Sequence, residues 1–105
     1  MDIKVVIIPN ERQDPVGKLA DAELHFTSGL FAGLKLVGFA VWERRSGGER
    51  NVTFPARAYS VNGERRSFAL LRPENPDLGD GQARVRLSIL QAYAEKEAEL
   101  AGVAQ

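Results

Sequence analysis

The 105 residues carry 14 basic and 14 acidic side chains, one His and no Cys, and 44% are hydrophobic, a composition expected of one small globular domain spanning residues 1–105. No apolar run approaches the roughly 18 residues of a membrane span, and without Cys the chain has no disulfides, thiol nucleophiles or thiolate metal sites. Asp2 stands where a secretory signal carries basic residues, and no signal-length apolar core follows it, so a cytoplasmic location is expected.

Ile3 to Ile8 is a β-branched run closed by Pro9, which cannot donate to a ladder, and reads as the first strand. Pro9, Asp14, Pro15 and Gly17 mark a loop. From Lys18 to Thr27 the pattern alternates, with Ala20, Ala22, Leu24 and Phe26 on one face and Asp21, Glu23 and His25 on the other, which predicts a half-buried second strand. A turn region with Gly29 and Gly33 leads into Leu34 to Trp42, almost wholly apolar and so expected to be a central strand covered on both faces. Gly38 in its middle predicts a bulge or a close backbone approach.

Ser46, Gly47 and Gly48 suit a hairpin turn, and Asn51 to Tyr59 is expected to return along the third strand, with Pro55 marking an edge or a bulge. Asn62-Gly63 is the strongest hairpin dipeptide in the chain and predicts a last strand from Glu64 to Leu71. Pro73, Pro76, Gly79 and Gly81 make a loop, Asp80 is the candidate N-cap, and Gln82 to about Leu100 is rich in helix formers. On a helical wheel, Val85, Ile89, Ala92, Tyr93 and Leu100 form one stripe, and Leu87, Leu90, Ala94, Ala98 and Ala101 a second, which meets either loop segments or a partner subunit. The expected fold is α+β: a mainly antiparallel, twisted sheet of about five strands with one C-terminal helix.

The zero net charge conceals a segregation. Residues 43–72 hold seven arginines against Glu43, Glu49 and Glu64, a net of plus four. Arginine interleaves there with aromatics: Trp42, Arg44, Arg45, Arg50, Phe54, Arg57, Tyr59, Arg65, Arg66 and Phe68. A sheet face or ribbon of this kind holds phosphates through its guanidinium forks and stacks bases on its rings; alternatively, the arginines only solvate a sheet and pair with neighbouring glutamates. Phe54 and Phe68 are in phase with Val52 and Leu70 and are expected in the core.

Other chemistry finds little support. Asp21, Glu23 and His25 share a strand face, but a polar face is usual for a half-exposed strand, and no metal site is expected. Ser28 next to a lone His does not make a catalytic pair. The glycines lack the Lys and Ser or Thr of a phosphate loop. Asn51-Val52-Thr53 matches a glycosylation sequon with no secretion signal to give it meaning. Neither an enzyme nor a cofactor is expected.

The order of elements, together with Lys18-Leu19-Ala20-Asp21-Ala22-Glu23-Leu24, Val52-Thr53-Phe54-Pro55-Ala56-Arg57, Asn62-Gly63-Glu64-Arg65, Pro73 and Ile89-Leu90-Gln91-Ala92-Tyr93, resembles the SpoVG family of small bacterial regulators over roughly Lys4 to Tyr93. The resemblance implies a twisted antiparallel sheet with one helix, a homodimer, and nucleic-acid binding through basic residues. Arg57 stands at the family's first basic position after Pro-Ser, whereas Ala56 replaces the Ser and Ala58 the second basic residue. The expected nucleic-acid contacts are thus Arg57, Arg65 and Arg66, with Arg44, Arg45 and Arg50 in support, the nucleic acid being DNA or RNA. The competing expectation is a protein-interaction or assembly module that binds no nucleic acid.

Overall fold

A computed structural model describes residues 2–12, 14–43, 50–75, 77 and 79–103. Among these residues the fold is α+β, with six strands in two antiparallel sheets and one C-terminal helix. Strands β1 (Ile3–Pro9), β2 (Lys18–Phe26), β3 (Lys35–Trp42) and β4 (Asn51–Thr53) form a four-stranded sheet in chain order. Among the described residues, strands β5 (Ala56–Val61) and β6 (Glu64–Ala69) pair only with each other. Helix α1 (Gly81–Val103) lies across one face of the larger sheet.

The alternation in the sequence fixes which face meets the helix. Pairing of Val5 with Leu24, Ile7 with Ala22 and Ala22 with Phe39 puts these side chains on one side of the sheet, where they join Ala20, Val41, Val52 and the fully buried Ile89 of α1 in one core. Val85, Ala92 and Tyr93 pack against that core, as the first helical stripe predicts. Leu90, assigned to the second stripe, also packs there. Its companions Leu87, Ala94, Ala98 and Ala101 are exposed, and so is Leu100 of the first stripe.

The expected central strand is covered only in its second half. Phe39, Ala40 and Val41 are buried, but Leu34 is 62% and Val37 49% exposed. The break falls at Gly38, whose φ of 107° is a conformation that L side chains rarely adopt. A Cβ there would lie 2.9 Å from Pro55 Cβ, so the sequence signals at Gly38 and Pro55 report one close approach. The same approach explains a correction: Asn51 to Tyr59 is not one strand. It pairs with β3 only through Thr53, then Phe54 and Pro55 interrupt the ladder and the chain restarts as β5 in the second sheet. Phe54 remains on the core, edge-on to Phe39 with ring centroids 5.1 Å apart.

Asn62 and Gly63, with φ of 52° and 81°, supply the two positive φ values of a type I′ turn, whose twist matches the strands it joins. At the helix start, the Asp80 carbonyl accepts from Arg84 N at 3.1 Å, so Asp80 occupies the cap position, while its carboxylate engages the Arg84 guanidinium at 2.8 Å. The Ser46, Gly47 and Gly48 turn expected between β3 and β4 lies outside the described residues.

Candidate nucleic-acid interface

The second sheet is a two-stranded hairpin that leaves the body after β4. All of β5 is exposed, as is β6 as far as Ser67. Its register divides the side chains between two unlike faces. Arg57 lies opposite Phe68, Tyr59 opposite Arg66 and Val61 opposite Glu64, and side chains of directly opposed residues project on the same side. That face carries two guanidinium groups beside an aromatic pair, Tyr59 and Phe68, whose centroids are 5.7 Å apart at 53°. The other face has Ala56, Ala69, Ala58, Ser67 and Ser60, with Arg65 as its one large side chain. The three arginines expected to act together are therefore split: Arg57 and Arg66 share the aromatic face, and Arg65 is on the reverse.

Phe68 belongs to this surface and not to the core, because its strand never pairs with the larger sheet and Leu70, taken as its buried companion, is exposed. Arg72, just beyond β6, places its Cζ 5.2 Å from the centre of the Phe68 ring and adds a third cation to the aromatic face. Sequence reasoning counted Arg72 in the basic segment without assigning it to the site; the signal was its spacing four residues after Phe68. Arg66 also meets Glu64, its neighbour on the same face, at 3.1 Å. The root of the hairpin is fastened by Leu70 N donating to the Pro55 carbonyl at 2.9 Å and by the Gln82 side-chain amide donating to the Leu71 carbonyl, also at 2.9 Å. Tyr59 is 40% exposed, so part of its ring is open to a stacking partner.

Arg50 has a different situation. At the start of β4, its guanidinium forms a forked pair with Glu97 of α1, at 3.0 and 2.7 Å, and lies 4.9 Å over the Tyr93 ring. The hydrogen bonds it donates to Glu97 are the chief reason its affinity for the proton is raised. Burial first, and the Glu97 carboxylate second, push the Tyr93 phenol above its ordinary value. Arg50 thus braces the helix against the sheet edge. Arg44 and Arg45 lie outside the described residues.

On the sheet face away from α1, Glu23 Oε1 accepts from Lys35 Nζ at 3.3 Å and lies 2.9 Å from His25 Nε2. The His25 contact, then Lys35, holds the Glu23 carboxyl below its usual value against the opposing effect of burial. Asp21 is engaged by Lys18 at 2.6 Å. Among the described residues no three His, Cys, Asp or Glu side chains gather to hold a metal ion, and no helix is long and apolar enough to cross a membrane.

No protein-family model, curated protein or solved structure matches the chain.

Proposed function

We propose that this chain is a small, non-enzymatic nucleic-acid-binding regulator that acts as a homodimer, as its resemblance to the SpoVG family implies. The observation that carries the reading is the hairpin's aromatic face, where Arg57, Arg66 and Arg72 surround Tyr59 and Phe68. Guanidinium groups bind phosphate oxygens through charge-assisted hydrogen bonds, and aromatic rings accept bases by stacking. A two-stranded ribbon also fits the major groove of duplex DNA. Arg50, held by Glu97, acts in this reading as a structural brace, and Arg65 plays a lesser part from the reverse face.

The alternative, a protein-interaction module, draws on a different observation: the β2–β3 turn exposes Leu30, Phe31 and Leu34 at one end of the sheet. Titrations against random single-stranded and duplex pools at two salt concentrations separate the two. Each phosphate contact contributes about 0.9 to the log–log salt slope on duplex and about 0.7 on single strands. Arg57→Ala with Arg66→Ala should lower the affinity and reduce the slope by about 1.8 or about 1.4 respectively, while Arg65→Ala leaves both nearly unchanged. A parent that binds neither pool at low salt overturns the proposal in favour of the interaction module.

A further inference from the structure

We infer that the groove between the open edge of β1 and helix α1 docks an extended peptide segment of another protein, which adds as a further strand and sets a lysine or arginine beside Glu95 and Glu99. This inference goes beyond the proposed function and does not rest on it.

The hydrogen-bonding phase of β1 comes first. The Asp2 carbonyl accepts from Thr27 N at 2.9 Å, and Asn10 N donates to the Leu19 carbonyl at 3.0 Å. The β1–β2 register runs without a shift between these two bonds. In an antiparallel pair, hydrogen-bonded residues alternate along each strand, so Lys4, Val6 and Ile8 direct their backbone groups at β2. Those of Ile3, Val5 and Ile7 point the other way, along an edge that no strand among the described residues covers. Pro9, next in the same phase, has no N–H to offer, so a ladder on this edge runs from Ile3 to Ile7 and stops. That reach suits a short linear segment. The other edge of the sheet, β4, is three residues long and is followed by Phe54 and Pro55, which resists strand addition.

The β1 edge is also walled on one side. Val5 and Ile7 face α1, and a groove of about 360 Å³ lies between β1 from Lys4 to Ile7 and Ala92, Glu95, Lys96 and Glu99 of the helix. Nearer the start of β1, a second hollow of about 180 Å³ lies among Ile3, Val5, Leu24, Arg84, Val85 and Ser88. Val5 borders both. A strand added to the edge turns every second side chain toward the helix, so its residue opposite Ile7 enters the first hollow and its residue opposite Ile3 the second. Main-chain bonds to an open edge, with pockets for alternate side chains, are a recurring mode of peptide recognition.

The two hollows suit different side chains. Lys4 lies opposite His25 and projects from the sheet face away from α1. Lys96 Nζ is 3.7 Å from Glu99 Oε1, and Glu95 is in no ion pair among the described residues. The first hollow therefore keeps an uncompensated negative charge over a floor of Val5, Ile7 and Ala92, which fits an aliphatic stem with a cationic head. In the second, Arg84 is engaged by Asp80 at 2.8 Å, and Ile3, 49% exposed, offers apolar surface beside Val5, Leu24 and Val85; this fits an aliphatic side chain. The β1 of a second copy has only Ile3, Val5 and Ile7 in the helix-facing phase and would leave Glu95 without a cation. A nucleic-acid backbone would be repelled by the same carboxylates.

The probe is a capped peptide reading lysine, threonine, valine, threonine, leucine; antiparallel addition sets its lysine opposite Ile7 and its leucine opposite Ile3. It is titrated to about 1 mM into the full nitrogen-15-labelled chain. The Ile3, Val5 and Ile7 amides should shift and exchange more slowly, while Val6, already bonded to β2, changes little. Replacing the peptide's lysine by glutamate should weaken binding by about five- to tenfold, and Glu95→Lys with Glu99→Lys should reverse that preference. Both glutamates are exposed, so the circular dichroism of the variant should match the parent's. The proposal is overturned by β1 amides that the lysine peptide leaves unmoved, or by equal binding of the two peptides. It is overturned as well if these amides are protected before any peptide is added in a dimer that dilution dissociates, which would give the edge to a second copy.

Discussion

Replacing Gly38 by alanine tests the joint from which the hairpin springs. Two costs combine. Holding an L residue at φ near 107° stores about 1–3 kcal/mol of backbone strain. The new Cβ, 2.9 Å from Pro55 Cβ, forces a shift in the segment between β4 and β5, and overpacking of this kind costs about 1–3 kcal/mol more. The expected loss is about 2–6 kcal/mol, a large part of the roughly 5–15 kcal/mol available to a small domain. In urea, with a slope of about 2 kcal/mol per molar, the midpoint should fall by about 1–3 M. The second half of the argument is read from a double-mutant cycle with Pro55→Gly, which removes the opposing Cβ and leaves the φ strain in place. The cycle should show a favourable coupling of about 1–3 kcal/mol between the two substitutions. A Gly38→Ala midpoint close to the parent's, or a coupling near zero, refutes the close approach as the reason for glycine.

Arg50→Ala removes a forked but partly exposed ion pair and a cation over Tyr93; it should cost about 1 kcal/mol in urea unfolding and leave nucleic-acid affinity within about twofold, since exposed pairs contribute little. An affinity loss equal to that of Arg57→Ala would return Arg50 to the binding surface. Because the Glu23 carboxyl is held below its ordinary value of 4.5, it contributes stability that is present at neutral pH and lost as pH falls through its lowered value. Glu23→Gln should therefore be less stable than the parent at pH 7 and should approach it as the pH falls through the carboxyl's lowered value; a gap that persists in acid argues against the link. His25→Gln, with Lys35 still beside Glu23, should change stability by less than about 1 kcal/mol, and a larger loss would mean that His25 carries more of the outer face than its one contact implies.

Much of the fold was legible because short-range rules governed it. Alternation along Lys18 to Phe26 set the buried face of β2, Asn62-Gly63 set the turn, and the run of helix formers after Gly81 set α1. What escaped was non-local. Gly38 and Pro55 each signalled an irregularity, but only their meeting across β3 and β4 divides one expected strand into two and sends the second half into its own sheet. That division changes the surroundings of the hairpin residues: Phe68 in β6 and Leu70 just beyond it alternate like core positions, yet β6 pairs with no strand of the larger sheet. Charge counting found the basic segment, but the sorting of its arginines depends on pairings along and across the chain. Arg50 meets Glu97 forty-seven positions away, and register sends Arg65 and Arg66 to opposite faces. Period-2 alternation already separates Arg65 from Arg66; which of the two joins Arg57 depends on the register set by the two-residue turn.

The most direct test of the central claim is a nuclear magnetic resonance titration of the nitrogen-15-labelled chain with a short single-stranded oligonucleotide, and in parallel a duplex, at low salt. The account predicts that the largest backbone shifts fall on Arg57, Tyr59, Arg66, Phe68 and Arg72, with small changes at Ala58, Ser60 and Ser67 and through β1 to β3. Shifts centred on the helix or on the Glu23, His25 and Lys35 face, or a spectrum unmoved by either oligonucleotide, would contradict it.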